Sequence, residues 1–194
     1  QISLDGIQSA ALTQDVTSLR LPVSPISQLL STTAGRQQVY SKDYFNGGHK
    51  WGGYAGDAYG AYRDFPVHEV TAKHILDRHP DSVLELGCGR GYILKRIQDK
   101  GIKAEGLEIS KHCHMTRVCE GITNLDICES PWPGTGYDLC YSIATLEHIP
   151  DVYLPHVIGE MQRVSQRGLH GIDFGTKDDG FDKSHCTLKP RKWW

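Results

Sequence analysis

Val83-Leu84-Glu85-Leu86-Gly87-Cys88-Gly89-Arg90-Gly91 is the stretch that decides the fold. A short apolar strand carries one acid, then breaks into three glycines at alternate positions. The stretch Tyr92–Lys100 follows at once, with Ile93, Leu94 and Ile97 on one helical face and Gly101 to end it. Glycines let the backbone take dihedrals other residues avoid and approach a ligand closely. A strand, a glycine turn and a helix in that order hold a nucleotide-like cofactor at the end of a parallel strand.

Working outward, the pattern repeats. Pro66–Arg78 reads as a helix, with proline suited to its first turn. Strands are predicted at Val83–Leu86, Lys103–Ile109, Ile122–Leu125, Tyr137–Ser142 and Gly168–Phe174. Helices are predicted at Tyr92–Lys100, Lys111–Cys119 and Leu154–Val164. The last buries Leu154, Val157, Ile158, Met161 and Val164. Strands alternating with helices give an α/β fold with a mainly parallel sheet covered on both faces.

The composition is that of a globular chain. It has 194 residues, enough for one sizeable domain, and 39% are apolar. A formal charge of −2 argues against an extended nucleic-acid surface, and no apolar run is long enough to span a membrane. Six cysteines without a C-x-x-C pair read as free thiols, which points to a reducing, cytoplasmic location. His112-Cys113-His114 are consecutive and would splay apart on a helix, so no metal site is assigned there. Residues 1–39, rich in Ser, Thr and Gln, read as an N-terminal arm or linker poor in chemistry. Residues 40–194 form the domain proper, with an aromatic cap over 40–80. The block 40–65 holds eight of the 17 aromatic residues and fits no helical or strand period, save a short helix near Asp57–Arg63. It reads as packing for the core, as a lid over ligand, or as both.

In a parallel sheet the ligand lies beyond the carboxyl ends of the strands. Glu108 ends the second strand, about 20 residues past the loop, where it can accept from ribose hydroxyls. Asp126 ends the third and can accept from an exocyclic amine. The loop reads G-x-G-x-G rather than the G-x-G-x-x-G of dinucleotide sites, and Glu85 before it would repel a pyrophosphate. A cationic, phosphate-free cofactor fits better. S-adenosylmethionine, with a sulfonium and an α-amino group, is preferred to NAD.

The chain resembles the class I S-adenosylmethionine-dependent methyltransferases, over about residues 83–174. The resemblance rests on Glu85-Leu-Gly-Cys-Gly-Arg-Gly91, Gly106-Leu-Glu108-Ile-Ser110, Leu125-Asp126-Ile127, Tyr137-Asp-Leu-Cys-Tyr-Ser142 and Leu146-Glu-His-Ile-Pro-Asp151. It implies a Rossmann-like fold with S-adenosylmethionine as cofactor. Glu85, Gly87, Cys88, Gly89 and Gly91 would surround the methionine end, Glu108 with Ile109 the ribose, and Asp126 with Ile127 the adenine. Ser142 and the residues to Thr145 would line the sulfonium side. It also implies a further helix and an antiparallel strand pair after the fifth strand, C-terminal elements missing from a chain that stops at Trp194.

Two flanking stretches are similar to methyltransferases of polysaccharide pathways, and to glycan-modifying enzymes of large viruses. They are Tyr59-Gly-Ala-Tyr62-Arg63-Asp64-Phe65-Pro66-Val67-His68 and Asp182-Lys-Ser-His185-Cys-Thr-Leu-Lys-Pro190-Arg-Lys-Trp193-Trp194. This resemblance implies a sugar or glycan hydroxyl as acceptor, a deoxysugar such as rhamnose being favoured. The residues agree: aromatic rings pack on the C–H faces of sugars, and Asp and His bind hydroxyls. Tyr54, Tyr59, Tyr62 and Arg63 are the acceptor-side candidates. A sugar hydroxyl is a poor nucleophile when protonated, so a general base is expected. His148 and His185 are its candidates, with Asp173 to orient either one or the acceptor. A divalent metal near Asp173, Asp178, Asp179 and His185 is the lesser reading, and none is assigned. Another small-molecule acceptor, or a cofactor-binding module without turnover, are the alternatives. After the fourth strand the chain reads Ser-Ile-Ala-Thr, not the Asn/Asp-Pro-Pro-Tyr/Phe motif of base-amine methyltransferases.

Overall fold

A computed structural model describes residues 24–48, 52, 54, 61–129, 131–174 and 182–194. Five strands form one parallel sheet: β1 (Ser82–Leu86), β2 (Lys103–Glu108), β3 (Ile122–Asn124), β4 (Leu139–Ile143) and β5 (Gly168–Gly171). Their order across the sheet is β3-β2-β1-β4-β5. The chain therefore winds outward one way from β1, then returns to its other side. The crevice this reversal opens lies between the carboxyl ends of β1 and β4.

Seven helices accompany the sheet among the described residues: α1 (Pro25–Leu30), α2 (Thr33–Val39), α3 (Lys42–Phe45), α4 (Pro66–Leu76), α5 (Tyr92–Gln98), α6 (Lys111–Met115) and α7 (Leu154–Val164). Side chains alternate across a strand, and here each face has its own core. Leu84, Leu86, Leu107 and Cys140 pack with Leu154, Val157 and Val164 of α7. Val83, Ala104, Leu139 and Tyr141 pack with Ala72 and Ile75 of α4 and Ile93, Leu94 and Ile97 of α5. The consecutive apolar residues Val83-Leu84 of β1 and Leu139-Cys140-Tyr141 of β4 are thus explained by burial on both faces.

Some boundaries differ from those the sequence predicts. α6 ends at Met115, four residues early: the Thr116 hydroxyl bonds back to the His112 carbonyl, and Val118 N–H leaves the helix to donate to Arg90 O. β5 stops at Gly171, so Asp173 lies two residues beyond the strand rather than at its end. Tyr137 makes an isolated bridge to Ser165 before β4 begins. Of the helix expected at Asp57–Arg63, residues 57–60 lie outside the described residues, and 61–63 are not helical. All six cysteines are free. Among the described residues no helix is long and apolar enough to cross a membrane.

The larger departure is at the N-terminus. Residues 25–39 do not stand apart: α1 and α2 pack over the carboxyl end of the sheet. The fully buried Arg36 of α2 donates from Nε to Asp126 Oδ2 at 2.7 Å and from Nη1 to Leu30 O at 2.7 Å. Its guanidinium also lies 4.6 Å from the Tyr153 ring centre, and Tyr153 in turn donates to Ser31 O. A segment with little chemistry in its composition places a buried cation at the site.

Candidate functional site

A cavity of about 600 Å³ opens at the carboxyl ends of β1, β2 and β4, within the size range of small-molecule sites. Its floor is the glycine loop. Gly87 (φ +65°) passes so close to Thr145 that a Cβ would sit 2.6 Å from the Thr145 hydroxyl. At Gly89 (φ +56°) a Cβ would sit 2.6 Å from the Tyr62 hydroxyl. Any side chain at either position would fill the cradle. Ala144, just past β4, also has a positive φ (+48°), backbone strain of the kind found where a chain turns sharply at a site.

Two acids lie at the cavity with almost no exposure. Glu85 accepts from the Tyr141 hydroxyl at 2.8 Å. Burial pushes its pKa up to about 8; the tyrosine opposes this and the Glu108 charge adds to it. Glu108 accepts from Gly89 N–H and Ser110 N–H, both at 2.7 Å, so it pins the glycine loop to the end of β2. Burial still pushes its pKa up to about 7. Carboxyls that hold protons more tightly in the fold than in the unfolded chain make stability fall as pH rises. From about pH 6.5, above which the buried histidines add no opposing change, to about pH 8, the ligand-free protein should therefore lose thermal stability. A bound cation should suppress that loss. Thermal melts with and without ligand check this, and a stability that rises over the same range would refute it.

Of the residues singled out in the sequence, Glu85, Gly87, Cys88, Gly89, Glu108, Ile109, Asp126 and Ile127 all line this one cavity. So do Tyr54, Tyr62, His148, Asp173 and His185. Three do not. Gly91 is the N-cap of α5, and its missing Cβ makes room for Cys119 Sγ and Ile122 Cδ1, so it serves helix–sheet packing. Ser142 is fully buried within the sheet, its Oγ 2.9 Å from His170 Nδ1; Ile143, Ala144 and Thr145 line the cavity instead. Arg63 is exposed on the outside of the aromatic wall, over the Phe65 ring. Tyr59, Asp178 and Asp179 lie outside the described residues.

Asp126 is more committed than an adenine acceptor need be. Its Oδ1 takes Cys128 N–H at 3.0 Å and its Oδ2 takes Arg36. Opposite the acids stands an aromatic wall. The rings of Tyr40, Tyr44, Phe45, Tyr54, Tyr62 and Phe65 all line the cavity, and successive centroids lie 5.0–6.3 Å apart. The block is core packing and cavity lining at once. The Tyr44 hydroxyl donates to Asp182 Oδ2 at 2.7 Å, tying the wall to the segment that carries His185.

That segment builds a polar chain. The Ser184 hydroxyl donates its one proton to Asp182 Oδ1 at 2.6 Å. Its oxygen lies 2.9 Å from His148 Nδ1, which must then be the donor. The lone pair of His148 is left on Nε2. Burial lowers the pKa of this ring, against the pull of Asp182, so the imidazole is neutral near pH 7. His185 packs edge-on against it, with ring centroids 4.5 Å apart. Glu147, next to His148, is fully buried. Its motif does not signal this side chain, because an acid inside an apolar-flanked turn gives no sign in sequence of which way it faces. Glu147, His148 and His185 each offer a ligand atom within 4.8 Å of the others; of these three, the lesser metal reading of the sequence includes only His185.

Residues 55–170, more than half of the chain, match the family described as "Methyltransferase domain". The chain is similar to ajmaline N-methyltransferase of Rauvolfia serpentina, 28% identical over 127 residues, which are 60% of this chain and 43% of that protein. It thus spans less than half the length of this curated relative. Among solved structures it is similar to the PH0226 protein of Pyrococcus horikoshii (20% identical, TM-score 0.45, covering 54% of each chain). It is also similar to a SAM-dependent methyltransferase of Archaeoglobus fulgidus (21% identical, TM-score 0.42, covering 50% of this chain and 48% of that one).

Proposed function

Because the chain belongs to the methyltransferase-domain family, of the class I, S-adenosylmethionine-dependent kind, we propose that it is an O-methyltransferase whose acceptor is a sugar hydroxyl, on a glycan or a nucleotide sugar. One observation carries the acceptor reading. The same cavity joins the cofactor-side acids Glu85 and Glu108 to an aromatic wall and to the Asp182–Ser184–His148 chain with His185 beside it. A sugar needs both surfaces at once, apolar rings for its C–H faces and fixed polar groups for its hydroxyls.

The cavity suits S-adenosylmethionine on its own terms. Glu85, buried and short of counter-charge, fits an ammonium or sulfonium. The open glycine cradle and the apolar Ile109 and Ile127 fit an adenosyl group. When bound, the cofactor supplies an electrophilic methyl on sulfur. The chemistry it would supply there is methyl donation to the acceptor oxygen, with loss of the hydroxyl proton. The protein's part is mostly alignment. Glu85 and Glu108 hold the donor, Tyr54 and Tyr62 hold the acceptor ring, and Asp173 orients the acceptor. His148, with its Nε2 lone pair, and His185 activate the hydroxyl.

Two measurements test the donor side. Donor affinity should tighten as pH rises from 6 to 8, by up to about tenfold per unit, because Glu85 must give up its proton to face a cation, and then level off. A flat profile removes Glu85 from that role. Loss of a ribose hydroxyl from the donor analogue should weaken binding to wild type but weaken binding to Glu108→Gln much less. Equal losses would mean that Glu108 only pins the loop. The acceptor reading is tested by methyl transfer from labelled donor to a panel of deoxysugar glycosides, with alkaloid-like amines alongside. Turnover of the amines alone would replace the sugar with a small heterocyclic acceptor, the reading that the apolar wall and the Rauvolfia relative favour.

A further inference from the structure

We infer that Glu147, His148 and His185 bind one divalent first-row cation, and that the acceptor hydroxyl is activated through it. The second half rests on the proposed function; the first does not.

The argument starts from Glu147. Its side chain is fully buried. Oε1 accepts Asp173 N–H at 3.0 Å, yet Oε2 has no hydrogen-bond partner among the described residues. A buried oxygen left so carries an uncompensated desolvation penalty, larger when charged, and calls for a reason. Its nearest chemistry is two imidazoles, with one ligand atom from each of the three side chains inside 4.8 Å. His148 Nδ1–H is spent on Ser184, so Nε2 presents a lone pair rather than a proton and does nothing for a carboxylate. A cation satisfies the oxygen and both nitrogens together.

The surroundings are those of a built site. Ligating histidines usually donate their other ring N–H to an oxygen that fixes the tautomer, as His148 does through Ser184 to Asp182. The three ligands come from two segments, and Glu147 locks these in register: its carbonyl accepts both Cys186 N–H at 3.0 Å and Thr187 N–H at 2.9 Å. Two imidazoles and one carboxylate suit first-row divalent cations and leave coordination positions open. His148 and His185 line the cavity, so those positions face the acceptor side. A hydroxyl there becomes more acidic. Its proton passes to water, and its oxygen forms the bond to the methyl as the C–S bond breaks.

The test uses the full chain, stripped with EDTA and titrated with Co²⁺, whose visible d–d bands report imidazole and carboxylate ligands and whose charge-transfer bands betray thiolates. One saturable site without a thiolate band is expected. Glu147→Gln and His185→Ala should each weaken it at least tenfold, and Ser184→Ala by about 10–100-fold. His185 lies on a half-buried loop, so His185→Ala serves if Glu147→Gln does not fold. Absence of a saturable site, or equal affinity in both ligand variants, overturns the proposal. Methyl transfer should fall at least tenfold in EDTA and return with Co²⁺. Transfer indifferent to EDTA overturns the activation half and leaves the methyltransferase reading standing. A ligand-dependent Co²⁺ site with no transfer to any panel acceptor supports the cation and overturns the acceptor reading instead.

Discussion

His148→Ala slows methyl transfer by about 10²–10⁴-fold, the usual worth of a group that activates the reacting hydroxyl, while donor affinity stays near that of wild type. The size follows from how completely the ring is committed. Asp182 and Ser184 fix Nδ1 as the proton-bearing nitrogen, burial keeps the ring neutral, and Tyr40 and His185 hold its plane. Because the ring also packs, a loss of rate alone does not settle its role. His148→Asn, which retains a polar side chain, should be nearly as slow. Added imidazole should restore part of the rate in His148→Ala, and Ser184→Ala should retain activity but shift its pH profile. A loss below about tenfold in both His148→Ala and His185→Ala would remove the histidines from the chemistry.

Arg36→Ala costs roughly 3–5 kcal/mol of stability, the penalty for stranding one member of a buried ion pair. Both side chains are at most 4% exposed, and the Nη2–Oδ2 distance is 2.7 Å, so solvent does little to screen the loss. The charge left behind is that of Asp126, in the wall of the cavity. Denaturant unfolding of Arg36→Met, Asp126→Asn and the double variant measures the pair. The double variant should recover much of the single losses, since removing both charges leaves neither stranded. Simple addition of the two losses would mean that they do not act as a pair. The partly exposed contact from Arg36 to Glu129 should contribute little by comparison.

Arg36 also marks where sequence reading fails. Nothing in Thr33-Ala-Gly-Arg36-Gln-Gln-Val39 distinguishes this arginine from a solvated one. Its burial comes from a partner 90 residues away. Glu147 is similar, in that its neighbours in sequence identify a turn after a strand but not a carboxylate aimed inward. Gly91 and Ser142 fail in the opposite direction. They stand in the right motif, but helix packing and a cross-strand histidine claim them.

The sequence by itself determined the parallel α/β sheet, the glycine cradle and the acids Glu85 and Glu108 at the strand ends. These depend on local rules: the period of apolar residues, the freedom of glycine, and the fixed distance from a strand end to the next. Only the tertiary structure decided that an arginine from the N-terminal helices meets Asp126, that the aromatic block walls the same cavity, and that Glu147, His148 and His185 converge. Each of those depends on pairs far apart in the chain, whose meeting is set by how the segments pack rather than by any pattern within them.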